Sequence, residues 1–211
     1  MAKIINDYTT TNKASRLIFE SLVTKEIVTF PAFVSSFSQT FTSNWNSEVV
    51  YGRNDPIGNF QGTQRGISVS WDVLAGNLGD AIQNFQNING LVQMLYPGYA
   101  TATFNVDVKV EEKTVNRKVG SNALALSKPP LIRLEYGNLI RATQAISGKT
   151  GLLGWINSFS WNPSLDMGMF TNGNNQYPKV ISLSIDFTPQ HEHELGTFPG
   201  GGTPAEFPFG G

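Results

Sequence analysis

The chain has 211 residues, of which 40% are hydrophobic, 15% charged and 11% aromatic, with a formal net charge of −1 and no cysteine. That length suits one well-cored domain carrying arms. The even charge balance argues against a dedicated nucleic-acid binder, and the missing cysteines exclude disulfides, thiolate catalysis and Cys-ligated zinc.

The charged fraction falls well below the usual figure of about 25%. A surface this poor in charge, with 14 Phe, 6 Tyr and 4 Trp, suits a subunit that buries much of itself against partners. Two histidines leave little material for catalytic triads or imidazole metal sites. No apolar run reaches the roughly 18 residues of a membrane-spanning helix. The start, MAKIINDYTTTNKASRLIF, lacks the apolar centre of a signal peptide, so a soluble protein made in a cytoplasm is expected.

In chain order, residues 1–14 are polar, rich in Thr and Asn, and read as an arm. From Arg16 to Phe33 apolar and polar residues mix without helical spacing, and Glu26–Phe30 reads as a strand stopped by Pro31. Val34–Trp45 alternates: Phe37, Gln39, Phe41 and Ser43 on one face, Ser38, Thr40 and Thr42 on the other. That pattern predicts a half-buried antiparallel strand. Ser47–Gly52 reads as a short strand and Arg53–Gly58 as a turn. In Gly66–Val73, Ile67, Val69, Trp71 and Val73 oppose Ser68, Ser70 and Asp72, which predicts one core face and one wet face.

A single helix is predicted over 78–95, capped by Asn77 or Gly79-Asp80. Its apolar stripe is Leu78, Ile82, Phe85, Ile88, Val92 and Leu95, and Pro97-Gly98 ends it. Alternation resumes from Tyr99 to Val110. A charged excursion follows over 107–118, with Glu111, Glu112, Lys113, Arg117 and Lys118. Leu131–Tyr136 is a strand, and Thr143–Gly151 a loop. In Leu152–Trp161, Leu153, Trp155, Asn157, Phe159 and Trp161 share one side. Asp166–Tyr177 reads as a Gly/Asn-rich loop, and Val180–Phe187 as the last strand, its Ser182, Ser184 and Asp186 on one face. Residues 191–211 form a Gly/Pro-rich tail carrying Phe198, Phe207 and Phe209, which cannot pack a core. The sum is a mainly β domain over 15–190: an antiparallel β-barrel or β-sandwich of about eight strands with one flanking α-helix.

Candidate chemistry is sparse. Ser147-Gly148-Lys149-Thr150 ends like a phosphate-binding loop, but position 143 is Thr where that motif needs its first glycine. His191-Glu192-His193-Glu194 places two imidazoles on one side of an extended chain, yet a closed metal site needs further ligands. A polar strand exit is the simpler account. Asp72 with Glu135 or Asp186 would be a glycosidase-like acid pair only if the fold joined them; exposed strand carboxylates explain them as well. Trp45, Trp71, Trp155 and Trp161 could stack sugars. Trp71 and Trp155 fit a core better, while Trp45 and Trp161 stand at strand ends and could reach a partner. No catalytic, cofactor or metal residue is assigned.

Several segments, in order, are familiar: VVYGRNDPIGNFQGTQRGISVSWDV, then QNINGLVQMLYPGY, PPLIRLEYGNLI, GLLGWINSFSWNPSLDMGMF and YPKVISLSIDFTPQHEHELG. Over residues 28–196 this series resembles baseplate and tail-tube proteins of contractile-tailed bacteriophages, closest to the initiator or adaptor proteins that join hub to tube. The resemblance implies a β-barrel or sandwich with a flank helix, assembled as a hexameric ring. Its inner sheets line a channel through which DNA passes without specific binding, and its termini and loops clasp neighbours. It implies a non-enzymatic virion protein, with itself and other tube, hub and wedge proteins as partners and no membrane. The excursion (Glu111, Glu112, Lys113, Arg117, Lys118) and the tail (Phe198, Phe207, Phe209) become the expected interface. A carbohydrate- or receptor-binding sandwich module and a wedge subunit are the alternatives, and no LysM module has room here.

Overall fold

The computed structural model describes residues 16–31, 33–110, 113–142 and 150–192, with the backbone alone over 100–125. Among these, the strands in chain order are β1 (Arg16–Ser21), β2 (Ile27–Pro31), β3 (Phe33–Glu48), β4 (Ile57–Leu74), β5 (Gly98–Val110) and β6 (Lys113–Lys128). They continue with β7 (Ile132–Tyr136), β8 (Leu152–Pro163), β9 (Met169–Asn172), β10 (Asn175–Pro178) and β11 (Val180–Pro189). One helix, α1 (Leu78–Met94), lies between β4 and β5, and a short 3-10 turn covers Leu165–Met167.

Seven strands form one antiparallel sheet in the order β2-β1-β7-β8-β11-β4-β3, with β5-β6 and β9-β10 as separate two-stranded ribbons. The domain is mainly β with one flanking helix, as the alternation predicts, and it is sandwich-like and not a closed barrel. β2 and β3 end the sheet without pairing to each other. The sheet nonetheless curls. Trp71 on β4 lies four strand positions from Phe19 on β1, roughly 19 Å away across a flat sheet at about 4.8 Å per strand. Their ring centroids are 5.9 Å apart, and Phe30 on β2 stands 5.8 Å from Trp71. The β2-β1-β7 half has folded over the β11-β4-β3 half, and the core fills the space between them.

The corner is at β8. Its first residues pair with β7 (Ile132 opposite Gly154), while Gly154 also pairs with Pro189 of β11. A Cβ on Gly154 would collide with the Thr188 carbonyl oxygen and stand 2.7 Å from the Phe187 ring. Only glycine lets the backbones close up here.

α1 closes the open side. Asn77 caps it, its Oδ1 accepting from the Asp80 N–H at 2.9 Å while its Nδ2 donates to Asp80. Asn84 donates to the Leu74 carbonyl at the end of β4, and Asn87 to the Thr29 carbonyl of β2, both at 3.2 Å. The helix so ties the two halves of the curled sheet together.

Four expectations are corrected. Arg16–Ser21 is a strand, its Leu17, Phe19 and Ser21 buried. Val49–Gly52 is not part of a strand; β3 ends at Glu48 and Tyr51-Gly52 is a turn. The deepest stripe of α1 is Ala81, Asn84, Ile88, Leu91 and Met94, rotated from the predicted one, because small residues let the helix approach: a Cβ on Gly90 would meet Val28 at 3.0 Å. Within Asp166–Tyr177, Gly173 at φ +61° turns the β9-β10 hairpin, whose Tyr177 ring meets Phe85 of α1 edge-on at 5.8 Å.

Candidate functional site

Strand registers align the wet face of the sheet into transverse rows. Ser36, Ser70, Ser184 and Ser160 form one row across β3, β4, β11 and β8. Ser38, Ser68, Asp186 and Ser158 form the next, and Phe33, Asp72, Ser182 and Asn162 the third. These rows carry no Lys or Arg. The patch spans about 14 Å across the strands and 13 Å along them.

The side chains within it bond to one another. Both Asp186 oxygens accept, from Ser68 Oγ and Ser158 Oγ, each at 2.6 Å. Asp72 accepts from Ser182 at 2.6 Å, and Ser160 and Ser184 bond at 2.7 Å. The serine hydroxyls stabilise the charged form, Ser158 most, and hold the Asp186 pKa below the ordinary carboxylate range. Asp72 and Asp186 stand four residues apart along the register, roughly 13 Å. That is too far for an acid pair. Glu135 sits on β7 and accepts from Thr150 at 2.8 Å.

The second feature is an overhang. β3 and β4 pair from Phe33–Asp72 out to Glu48–Ile57, but burial stops near Arg65. That guanidinium is buried, donates to Gln39 Oε1 at 2.9 Å and lies 5.6 Å from the centre of the Phe41 ring. Burial lowers its pKa to about 10, so it is charged at neutral pH. Beyond it the ribbon leaves the domain and stays two-faced. The continuation of the core face carries Phe41 and Trp45, with Phe60 paired to Trp45 at a ring separation of 5.1 Å. The continuation of the wet face carries Thr40, Thr42, Asn44 and Asn46. Phe41, Trp45, Phe60, Ile57 and the tip residues Val49, Val50 and Tyr51 are all exposed.

The four tryptophans do not share a plane. Trp71 is fully buried, whereas Trp45 is 62%, Trp161 45% and Trp155 41% exposed. The expectation of a core Trp155 is overturned by a bulge. Asp186 pairs with Ser158 but Phe187 with Ile156, so Asn157 is extra and the alternation slips. Trp155 turns out to the wet face, where it donates to Asn157 Oδ1 at 2.9 Å. Trp161 stays on the helix side, 6.1 Å from Phe85.

Of the interface residues expected from the sequence, Glu111, Glu112, Phe198, Phe207 and Phe209 lie outside the described residues. Lys113, Arg117 and Lys118 fall on β6, where their backbones pair with Val110, Val106 and Asn105. The described part of the expected excursion, Asp107–Val110 and Lys113–Lys118, is thus paired strand of the β5-β6 ribbon. Ser147, Gly148 and Lys149 also lie outside the described residues. In the His191–Glu194 stretch, Glu192 is held by the Arg133 fork at 2.7 and 2.8 Å. Among the described residues no three His, Asp or Glu gather as a metal site. No helix among them is long and apolar enough to cross a membrane.

Sequence reading puts Trp45 at a strand end within reach of a partner, but it misses that β3 runs on to Glu48 and pairs with β4 as an aromatic overhang. Its signal was present in the run Trp45 to Phe60, where large apolar residues outlast the alternation. Compared with known proteins, the chain matches no family model and no curated relative.

Proposed function

We propose that this chain is a non-enzymatic structural subunit of a phage tail or baseplate, forming a ring that connects the baseplate hub to the tail tube and lines a DNA channel. The observation that carries this reading is the two-faced overhang of the β3-β4 ribbon. Its aromatic face prolongs the core face into solvent, and its hydroxyl and amide face prolongs the wet face. A free monomer gains nothing from exposing Trp45 and Phe60; a neighbouring copy that covers them accounts for both faces at once.

The rows of serines suit a lumen. The hydroxyls of Ser68, Ser158 and Ser182 donate to Asp186 and Asp72, and Ser160 and Ser184 bond to each other, which reduces the donors left for phosphate. Two carboxylates and no cation repel a DNA backbone weakly and give it nothing to stick to. The exposed edge strand β3 is a sheet edge that assembly would cover.

Mass photometry across concentration, with negative-stain images of the same samples, tests the reading. Rings or tubes with a central hole are expected. A strict monomer that is retarded by polysaccharide in a native gel would replace it with a carbohydrate-binding module.

A further inference from the structure

Resting on the ring reading, we propose that a cleft beside the C-terminal end of α1 is the socket for the tip of the β3-β4 ribbon of a second copy, with Tyr51 and Arg53 as the entering side chains. The cleft has a volume of about 270 Å³, and Val23, Glu26, Met94, Tyr96 and Tyr99 are among its lining residues. Its walls are mostly apolar, and Tyr96 and Tyr99 are 64% and 57% exposed. Two features make it attractive to a cation. Glu26 stands in its wall. The helix end beside it carries the negative end of the α1 dipole, with no basic residue in the last turn. An apolar, tyrosine-walled cleft with one carboxylate in its wall fits a guanidinium on an aliphatic stem, or a ring followed by one.

The tip offers that chemistry. Val49, Val50 and Tyr51 are exposed apolar residues at the end of the ribbon, followed by exposed Arg53 and Asp55. The turn is preset: the Arg53 N–H donates to the Val50 carbonyl at 3.2 Å, and Gly52 takes φ +90°. A preset turn loses little entropy on docking. The charges match in order. Arg53 would face Glu26, and Asp55 would face Lys25, an exposed residue beside it.

Position supports the pairing. The tip grows from β3, one end of the seven-stranded sheet, and the cleft adjoins the start of β2, the other end. Two different, complementary patches of one subunit make a heterologous contact, which closes into a ring when the rotation allows.

The experiment uses the natural absence of cysteine. Arg53→Cys and Glu26→Cys chains are mixed, oxidised and run on a non-reducing gel. A mixed disulfide dimer, exceeding the dimer from either variant alone, is expected. Charge reversal gives the second arm: Arg53→Glu and Glu26→Arg each weaken association about tenfold, and mixing the two variants restores it. All these positions are exposed, so unchanged melting curves verify the fold. Wild-type rings without the mixed crosslink would overturn the socket and leave the ring reading standing. A crosslink without any closed ring would support the socket and overturn the ring. A strict monomer with no crosslink would overturn both.

Discussion

The two halves of the β3-β4 ribbon are made of the same pair of strands and differ in what lies beneath them. The inner half puts Val69, Trp71 and Val73 on the core, where each is essentially inaccessible to solvent. The outer half puts Trp45 and Phe60 on the same side of the same ribbon, where both rings are largely exposed. Arg65, buried against Gln39 and Phe41, marks the boundary. The strand pattern is thus one continuous device with two outcomes: the first half folds the domain, and the second half keeps its aromatic side chains exposed.

Truncation at each half is the sharpest way to test that difference. Trp71→Ala should cost about 3–5 kcal/mol by denaturant unfolding, because it empties the site where Phe19 and Phe30 meet the ring. Trp71→Phe should cost less, since the indole Nε1 is buried with no hydrogen-bond partner among the described residues and its loss removes an unsatisfied donor. An unchanged midpoint in Trp71→Ala would place the residue outside the core.

A smaller loss, about 1–3 kcal/mol, is expected of Gly154→Ala, whose added methyl has no room at the corner of β8. A neutral result would mean that β8 and β11 separate there more easily than their packing implies. Trp45→Ala should lower the stability of the isolated chain by only about 0.2–1 kcal/mol, the worth of a cross-strand aromatic pair, while sharply reducing assembly by mass photometry. A stability loss as large as that of Trp71→Ala would erase the distinction between the two halves.

The smallest effect is electrostatic. Asp186 has a folded pKa below its unfolded value. Its contribution is therefore present above the ordinary carboxylate pKa and is lost as pH falls through the folded value. Asp186→Asn should flatten that acid limb of stability against pH, measured by thermal melts. Because the group is largely exposed, the change should be slight.

Much of the fold is legible in the sequence. Strict alternation in Ile67–Val73 and Val180–Phe187 fixes which face is wet, and the helix is bounded by Asn77 and Pro97. What could not be read depends on partners in space. Arg16–Ser21 hid because Ile18 faces outward between Leu17 and Phe19 and breaks the alternation. The bulge at Asn157 turns Trp155 outward, and no local signal distinguishes it from a regular strand. Val49–Tyr51 has strand-forming residues but no partner to pair with, so it becomes a tip. The buried stripe of α1 includes Ala81, Asn84 and Gly90, which close approach selects and hydrophobicity does not. The serine rows arise from register across four strands, which no single segment encodes.

The most direct test of the central claim is the location of the serine rows within an assembly. A Ser184→Cys chain, carrying the only thiol, can be coupled to a small gold label and imaged by electron microscopy. The account predicts gold at the rim of the central hole. Gold on the outer circumference of the rings would contradict it.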